Sequence, residues 1–194
     1  MLHRFADIHT HVAGRPDSIL SIPAEGVERI VHSGQHTGQE LQCFSLQLHP
    51  WHLTGQADID LFAETAFRHQ YLPQFVAIGE CGLDGLCPTP LGLQRTAFRE
   101  ALRVARQLHR PVIVHCVRLW AEMMGDVHTV FPELRTQPDA WREWPVIIHG
   151  FRKGPELARQ LLNAGFSISL GTKYNPDVAK ILPSERCYAE TDEE

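Results

Sequence analysis

Residues 75–116 read FVAIGECGLDGLCPTPLGLQRTAFREALRVARQLHRPVIVHC. The apolar run Phe75 to Ile78 ends at Gly79 and Glu80, as a buried strand ends at a polar turn. From Gln94 to Leu108, Phe98, Leu102, Ala105 and Leu108 recur at a spacing near 3.6 residues, which predicts an amphipathic helix. Pro111 then opens a second apolar run that ends at His115 and Cys116. A strand, a helix and a strand in this order form a parallel βα unit.

The same pattern extends in both directions. Further strand candidates are RFADIH (4–9), SILSI (18–22), CFSLQLH (43–49), PVIIHGF (145–151), FSISLG (166–171) and RCYAETD (186–192). Helical spacing recurs over 58–69, with Ile59, Phe62 and Ala66. It recurs again over 155–164, with Leu157, Leu161 and Leu162 on one face and Gly165 as a stop. EGVERIVHSG (25–34) is ambiguous between helix and strand. Eight strands alternating with helices predict an α/β fold of the TIM (β/α)8 type, with residues 1–194 as a single domain. A typical barrel of this kind has about 250 residues, so a compact one missing some outer helices is expected. Residues 12–17 are too few for a helix between the first two strands, and two residues after Asp192 leave none to follow the last.

The bulk properties are those of a globular chain. Hydrophobic residues are 43% and charged residues 21%, with a net charge of -5. No Lys/Arg block supports a large nonspecific nucleic-acid surface, so a polyanionic substrate would need metals for much of its positive charge. No apolar run approaches the ~18 residues of a membrane span, and the start MLHRFADIHTH carries no signal-peptide core. Five scattered cysteines with no CxxC pair predict free thiols in a cytoplasmic protein rather than a disulfide framework, and no obligate protein partner is expected.

Six metal-competent residues stand at or just past the ends of these strands: His9 and His11, Glu80, His115, His149 and Asp192. One rim of a parallel barrel gathers its strand ends around one pocket. His9 and His11, two apart on a strand, point the same way, ~7 Å apart. A carboxylate at the end of a central strand needs a partner, and Glu80 bridging two cations would satisfy both its oxygens. PVIVH and PVIIH place His115 and His149 in near-twin settings. A lone histidine there is more often a hydrogen-bonded core residue, but two on different strands favour a metal. Four histidines and two carboxylates suit a pair of divalent ions such as Zn, Mn or Mg rather than Ca. Two such ions could activate water and clamp a phosphate, with Asp192 as general base. His49 in LHPWH is a candidate substrate contact, as are Arg118, Arg152 and Lys173 a few residues past the strand ends. Asp84 is a candidate for orienting a ligand from behind. There is no GxSxG, which argues against a serine hydrolase.

With these residues assembled, the chain resembles the TatD family of metal-dependent hydrolases, within the amidohydrolase-like superfamily. DIHTH, LHPW, GECGLD, the Gln94–Phe98–Ala101 helix leading into PVIVHC, then IHGF, ISLG and ETD look like that family's signatures, in order along nearly the whole chain. The resemblance implies a TIM barrel, a divalent metal centre and hydrolase activity, in many members deoxyribonuclease activity. It implies that His9, His11 and Asp192 hold one metal, that His115 and His149 hold the other, and that Glu80 lies between. One departure stands out: Val117 occupies the place where many members carry Arg, two residues after the strand histidine. The expected function is therefore a metal-dependent phosphodiesterase or deoxyribonuclease acting on DNA or another phosphodiester. Hydrolysis of a small ester, lactone or amide, and a non-catalytic metal-binding role, are the alternatives.

Overall fold

The computed structural model describes residues 2–37 and 42–192. Its strands are β1 (Asp7–Thr10), β2 (Ser18–Pro23), β3 (Phe44–Leu48), β4 (Phe75–Asp84), β5 (Val112–Val117), β6 (Val146–Ile148), β7 (Ser167–Leu170) and β8 (Cys187–Ala189). Each pairs in parallel with the next, giving one eight-stranded sheet in sequence order. All eight apolar runs are strands, and the sheet curls into a nearly closed barrel.

The helices follow the crossovers. They are α1 (Ala24–Thr37), α2 (Gln56–Arg68), α3 (Leu91–Leu108), α4 (Trp120–Val130), the short α5 (Glu133–Thr136) and α6 (Ala140–Glu143), α7 (Pro155–Asn163) and the short α8 (Pro176–Ala179). The ambiguous segment 25–34 is helical. Val27, Ile30 and Val31 lie at spacings of three and four, and this face packs on the core despite its β-branched composition. Among the described residues no helix joins β1 to β2, and none is long and apolar enough to cross a membrane.

The core has two parts. The larger lies between the strands and the helices, with Phe44, Phe62, Phe98, Leu102 and Phe166 fully buried. The smaller joins Ile8, Ile19, Val76, Ile147 and Tyr188 with Leu2. These side chains come from β1, β2, β4, β6 and β8, strands spread around the sheet, so they meet inside the barrel as a packed layer.

Two departures from regular pairing bear on function. Between Asp7 and Thr10, β1 advances three residues while β2 advances two, from Ser18 to Leu20. Between Ile78 and Cys81, β4 advances three while β3 and β5 each advance two. These are β-bulges, which re-aim side chains, and they fall on His9 and on Gly79–Glu80. The last strand also differs from expectation. β8 ends at Ala189, and Asp192 lies beyond it with φ 51°. The chain turns there because the Asp192 N–H donates to the His9 carbonyl at 3.2 Å rather than continuing along β7.

Candidate metal centre

The rim of the barrel brings together all six strand-end residues. Glu80 lies at the middle, with a side chain only 6% exposed. Its Oε1 is 2.7 Å from His149 Nε2, 2.8 Å from His115 Nδ1 and 3.2 Å from His49 Nε2. Its Oε2 faces the other way, 3.4 Å from His9 Nε2 and 3.8 Å from His11 Nε2. Asp192 Oδ1 is 3.7 Å from His9 Nε2. Donor atoms within 4.8 Å of one another fall into four overlapping groups: His9–Glu80–His149, His9–His11–Asp192, His49–Glu80–His115 and His149–Glu190–Asp192.

The chemistry of this donor set fits divalent cations. His9 is fully buried, yet neither ring nitrogen has a hydrogen-bond partner. A buried imidazole left so is costly unless something else binds it. Glu80 is pushed up by burial, but the charge on His149 and hydrogen bonds from His115, His149 and His49 hold it well below the usual carboxylate range. Burial works to discharge His149, yet Glu80 and Glu190 raise it well above an ordinary histidine. Negative charge is thus concentrated in a low-dielectric pocket and draws positive charge to itself. Burial, then the neighbouring His9, depress His11; burial also depresses His49. Both are therefore kept in the neutral form that a metal ligand requires.

Around the donors lies a shell of orienting groups. Asp84 accepts from His115 Nε2 at 3.0 Å and from Trp51 Nε1 at 2.8 Å through Oδ2, and from the Leu86 N–H through Oδ1. Its contact with Nε2 turns His115 Nδ1 toward Glu80. Two residues of this shell were not among the sequence candidates. Glu190, its side chain fully buried, accepts from the Gly150 N–H and the Ser169 hydroxyl and lies 3.8 Å from His149 Nδ1. Asp7 accepts from the His9 N–H at 3.0 Å and from the Thr191 hydroxyl at 2.6 Å. The sequence signal for them is a spacing, since Glu190 and Asp7 each stand two residues before a candidate ligand.

Two cavities open over the cluster. One, about 410 Å³, is lined by His11, His49, Trp51, His52, Glu80 and also by His115, His149 and Asp192. The other, about 240 Å³, is lined by His115, His149 and Asp192 together with Trp120, Phe151, Arg152 and Lys153. Of the expected substrate contacts, His49 and Arg152 line a cavity, with Arg152 Nη2 3.7 Å from Asp192 Oδ2. Arg118 and Lys173 line neither. Arg118 turns off β5 in the left-handed region at φ 64°, and Lys173 lies in the turn after β7. Lys153, not among the sequence candidates, lies in the cavity beside Arg152.

A parallel eight-stranded barrel with histidines and carboxylates clustered at the C-terminal strand ends defines a class, the barrel proteins built around a rim-bound metal centre. Within that class the chain belongs to the TatD family: the family's TatD related DNase profile matches residues 6–193. The metal-dependent hydrolase YabD of Bacillus subtilis is 30% identical over 125 residues, covering 60% of this chain and 46% of its own. The 3'-5' ssDNA/RNA exonuclease TatD of Citrobacter rodentium is 32% identical over 152 residues, covering 72% and 50%. The deoxyribonuclease Tat-D of Schizosaccharomyces pombe is 26% identical over 203 residues, covering 91% and 62%. The chain thus spans about half the length of the curated relatives it matches. In fold it is similar to the TatD homologue YJJV of Escherichia coli, with a TM-score of 0.73 at 22% identity over 99% of this chain and 80% of that one. A TatD family hydrolase from Entamoeba histolytica gives 0.72 at 18% identity, over 97% and 73%.

Proposed function

We propose that this chain is a divalent-metal-dependent phosphodiesterase acting on single-stranded nucleic acid, with residues 1–194 working as one domain. The observation that carries this is Glu80, whose two oxygens face different sets of histidines, His115, His149 and His49 on one side and His9 and His11 on the other. His9, His11 and Asp192 would hold one ion, His115 and His149 the second, and Glu80 would bridge them. His49 lies close enough to Glu80 and His115 to join the second set. Divalent ions of the Zn, Mn or Mg kind supply positive charge against a phosphodiester and make water more acidic. The protein's own part is positional. Asp192, at the edge of both cavities, takes the proton of the attacking water as general base. Arg152 and Lys153 meet the phosphate oxygens, a task for which Val117 has no charge. Family membership and the nuclease names of two relatives support the substrate class. Five unpaired cysteines support a reducing compartment such as the cytoplasm.

Elemental analysis of the purified protein is expected to give about two equivalents of metal. Glu80→Ala is expected to lose most of that metal and to cut hydrolysis of a single-stranded oligonucleotide by roughly a thousandfold or more. Full activity in Glu80→Ala would overturn the proposal. Turnover of small esters with no cleavage of the oligonucleotide would move the substrate class to the alternative.

A further inference from the structure

We infer that Trp51 and Trp120 are stacking platforms for the two nucleobases that flank the cleaved phosphodiester. The inference rests on the phosphodiesterase reading and adds to it the path of the strand. The two cavities share His115, His149 and Asp192. Trp51 lines only the first and Trp120 only the second. A phosphodiester seated over the shared residues therefore leaves one of its two nucleosides in each cavity.

Each tryptophan is suited to this position. Trp51 is 50% exposed, which is unusual for an indole in contact with buried polar groups. It is also held in place, because its Nε1 donates to the same Asp84 oxygen that accepts from His115. A pinned aromatic face loses little conformational freedom when a base stacks on it. Trp120 is the first residue of α4 and packs edge-on to Phe151, with ring centres 6.2 Å apart and planes at 69°. Its cavity also holds Arg152 and Lys153, so an indole surface and two cations stand side by side, the combination that takes a base and its phosphate. By contrast, the exposed Leu61 and Phe67 lie on α2 and line neither cavity. Stacking of this kind needs unpaired bases, since a duplex already covers both faces of each base. The strand entering the site is therefore single, and recognition is tolerant of sequence because every base presents a π-face.

The test uses a fluorescent single strand of about eight nucleotides and the same strand with abasic sites at its centre. Equilibrium binding is read by anisotropy, with metal stripped by chelation so that the strand stays whole. The wild-type protein is expected to prefer the intact strand. Trp51→Ala and Trp120→Ala are each expected to reduce that preference by about 5- to 100-fold, and Trp120→Phe to keep most of it. An unchanged ratio of intact to abasic affinity in both alanine variants overturns the inference, as does a wild-type protein with no preference. Cleavage of the intact strand by metal-loaded wild-type protein is scored separately. Absence of cleavage removes the phosphodiesterase reading, whereas cleavage with an unchanged ratio removes the stacking platforms alone.

Discussion

His149 is held from both sides. Its Nε2 meets Glu80 at 2.7 Å, while Glu190 stands 3.8 Å from its Nδ1. Burial pushes the Glu190 carboxyl up, but the nearby His149 ring and its charge, with the hydrogen bond from Ser169, more than reverse this, so it stays ionised. Glu190 is therefore a positioning residue that fixes the ring of a proposed ligand. Carboxylates behind metal-bound histidines typically account for 10–100-fold in affinity. Glu190→Gln keeps the shape and removes the charge, and is expected to weaken metal binding by about that factor. Competition with a chromophoric chelator measures it, and an affinity equal to wild type would remove the role. At this scale the sequence was readable where a residue ended an apolar run, as His115 and His149 do. Asp7 and Glu190 were marked only by standing two residues before His9 and Asp192, and the bulge in β1 and the turn beyond β8 mean that regular strand alternation does not account for where they sit. The placement of Trp120 and Lys153 was not readable, since both depend on how loops fold back over the rim.

Among the elements, β4 does the most to place the site. Its apolar start was legible, and its continuation to Asp84 was not, because Gly79 and Gly82 look like the end of a strand. Gly79 instead lies within the bulge, and Gly82 lies just past it, where β4 runs close against β5. Gly82 has φ 153°, and a Cβ there would collide with the backbone carbonyl of His115 on β5. The close approach of β4 to β5 brings Glu80 within 2.8 Å of His115. Gly82→Ala must therefore separate these strands or strain them. The expected cost is roughly 2–4 kcal/mol, seen as a fall in Tm of roughly 4–16 °C for a chain of this size. Metal content should fall with it, because Glu80 and His115 move apart. A variant with wild-type Tm and metal content would show that β4 can shift without disturbing the rim. The helices divide in the same way. The predicted 94–108 and 155–164 segments became α3 and α7 because their apolar faces are regular. The segment 25–34 stayed ambiguous because Val and Ile serve strands as readily as helices.

At the scale of the whole barrel, the seam between β8 and β1 was not legible, because it is closed by the Asp7 side chain and a single backbone bond past the strand ends rather than by a strand ladder. Asp7 binds the Thr191 N–H at 3.2 Å and the Thr191 hydroxyl at 2.6 Å, and the Asp192 N–H reaches the His9 carbonyl. The proposed ligands straddle this same seam. His9 and His11 stand on one side of it and Asp192 on the other, with Glu80 on β4, His115 on β5 and His149 just past the end of β6. Metal held by this set would tie five segments of the rim together and would bind the folded chain far better than the unfolded one. Mass action then makes binding visible as stability: ligand at a hundred times its Kd adds about 2.7 kcal/mol. Chelation is accordingly expected to lower Tm, and restored Zn or Mn to raise it in a concentration-dependent way. Hydrogen exchange should quicken on chelation in β1 and at residues 190–192, where the seam depends on the cluster, more than in α3, which contributes none of the proposed ligands. Glu80→Ala should abolish the metal-dependent part of Tm. A Tm indifferent to both chelator and metal in the wild-type protein would mean that the cluster contributes nothing to closing the barrel, and would count against the two-ion assignment with it.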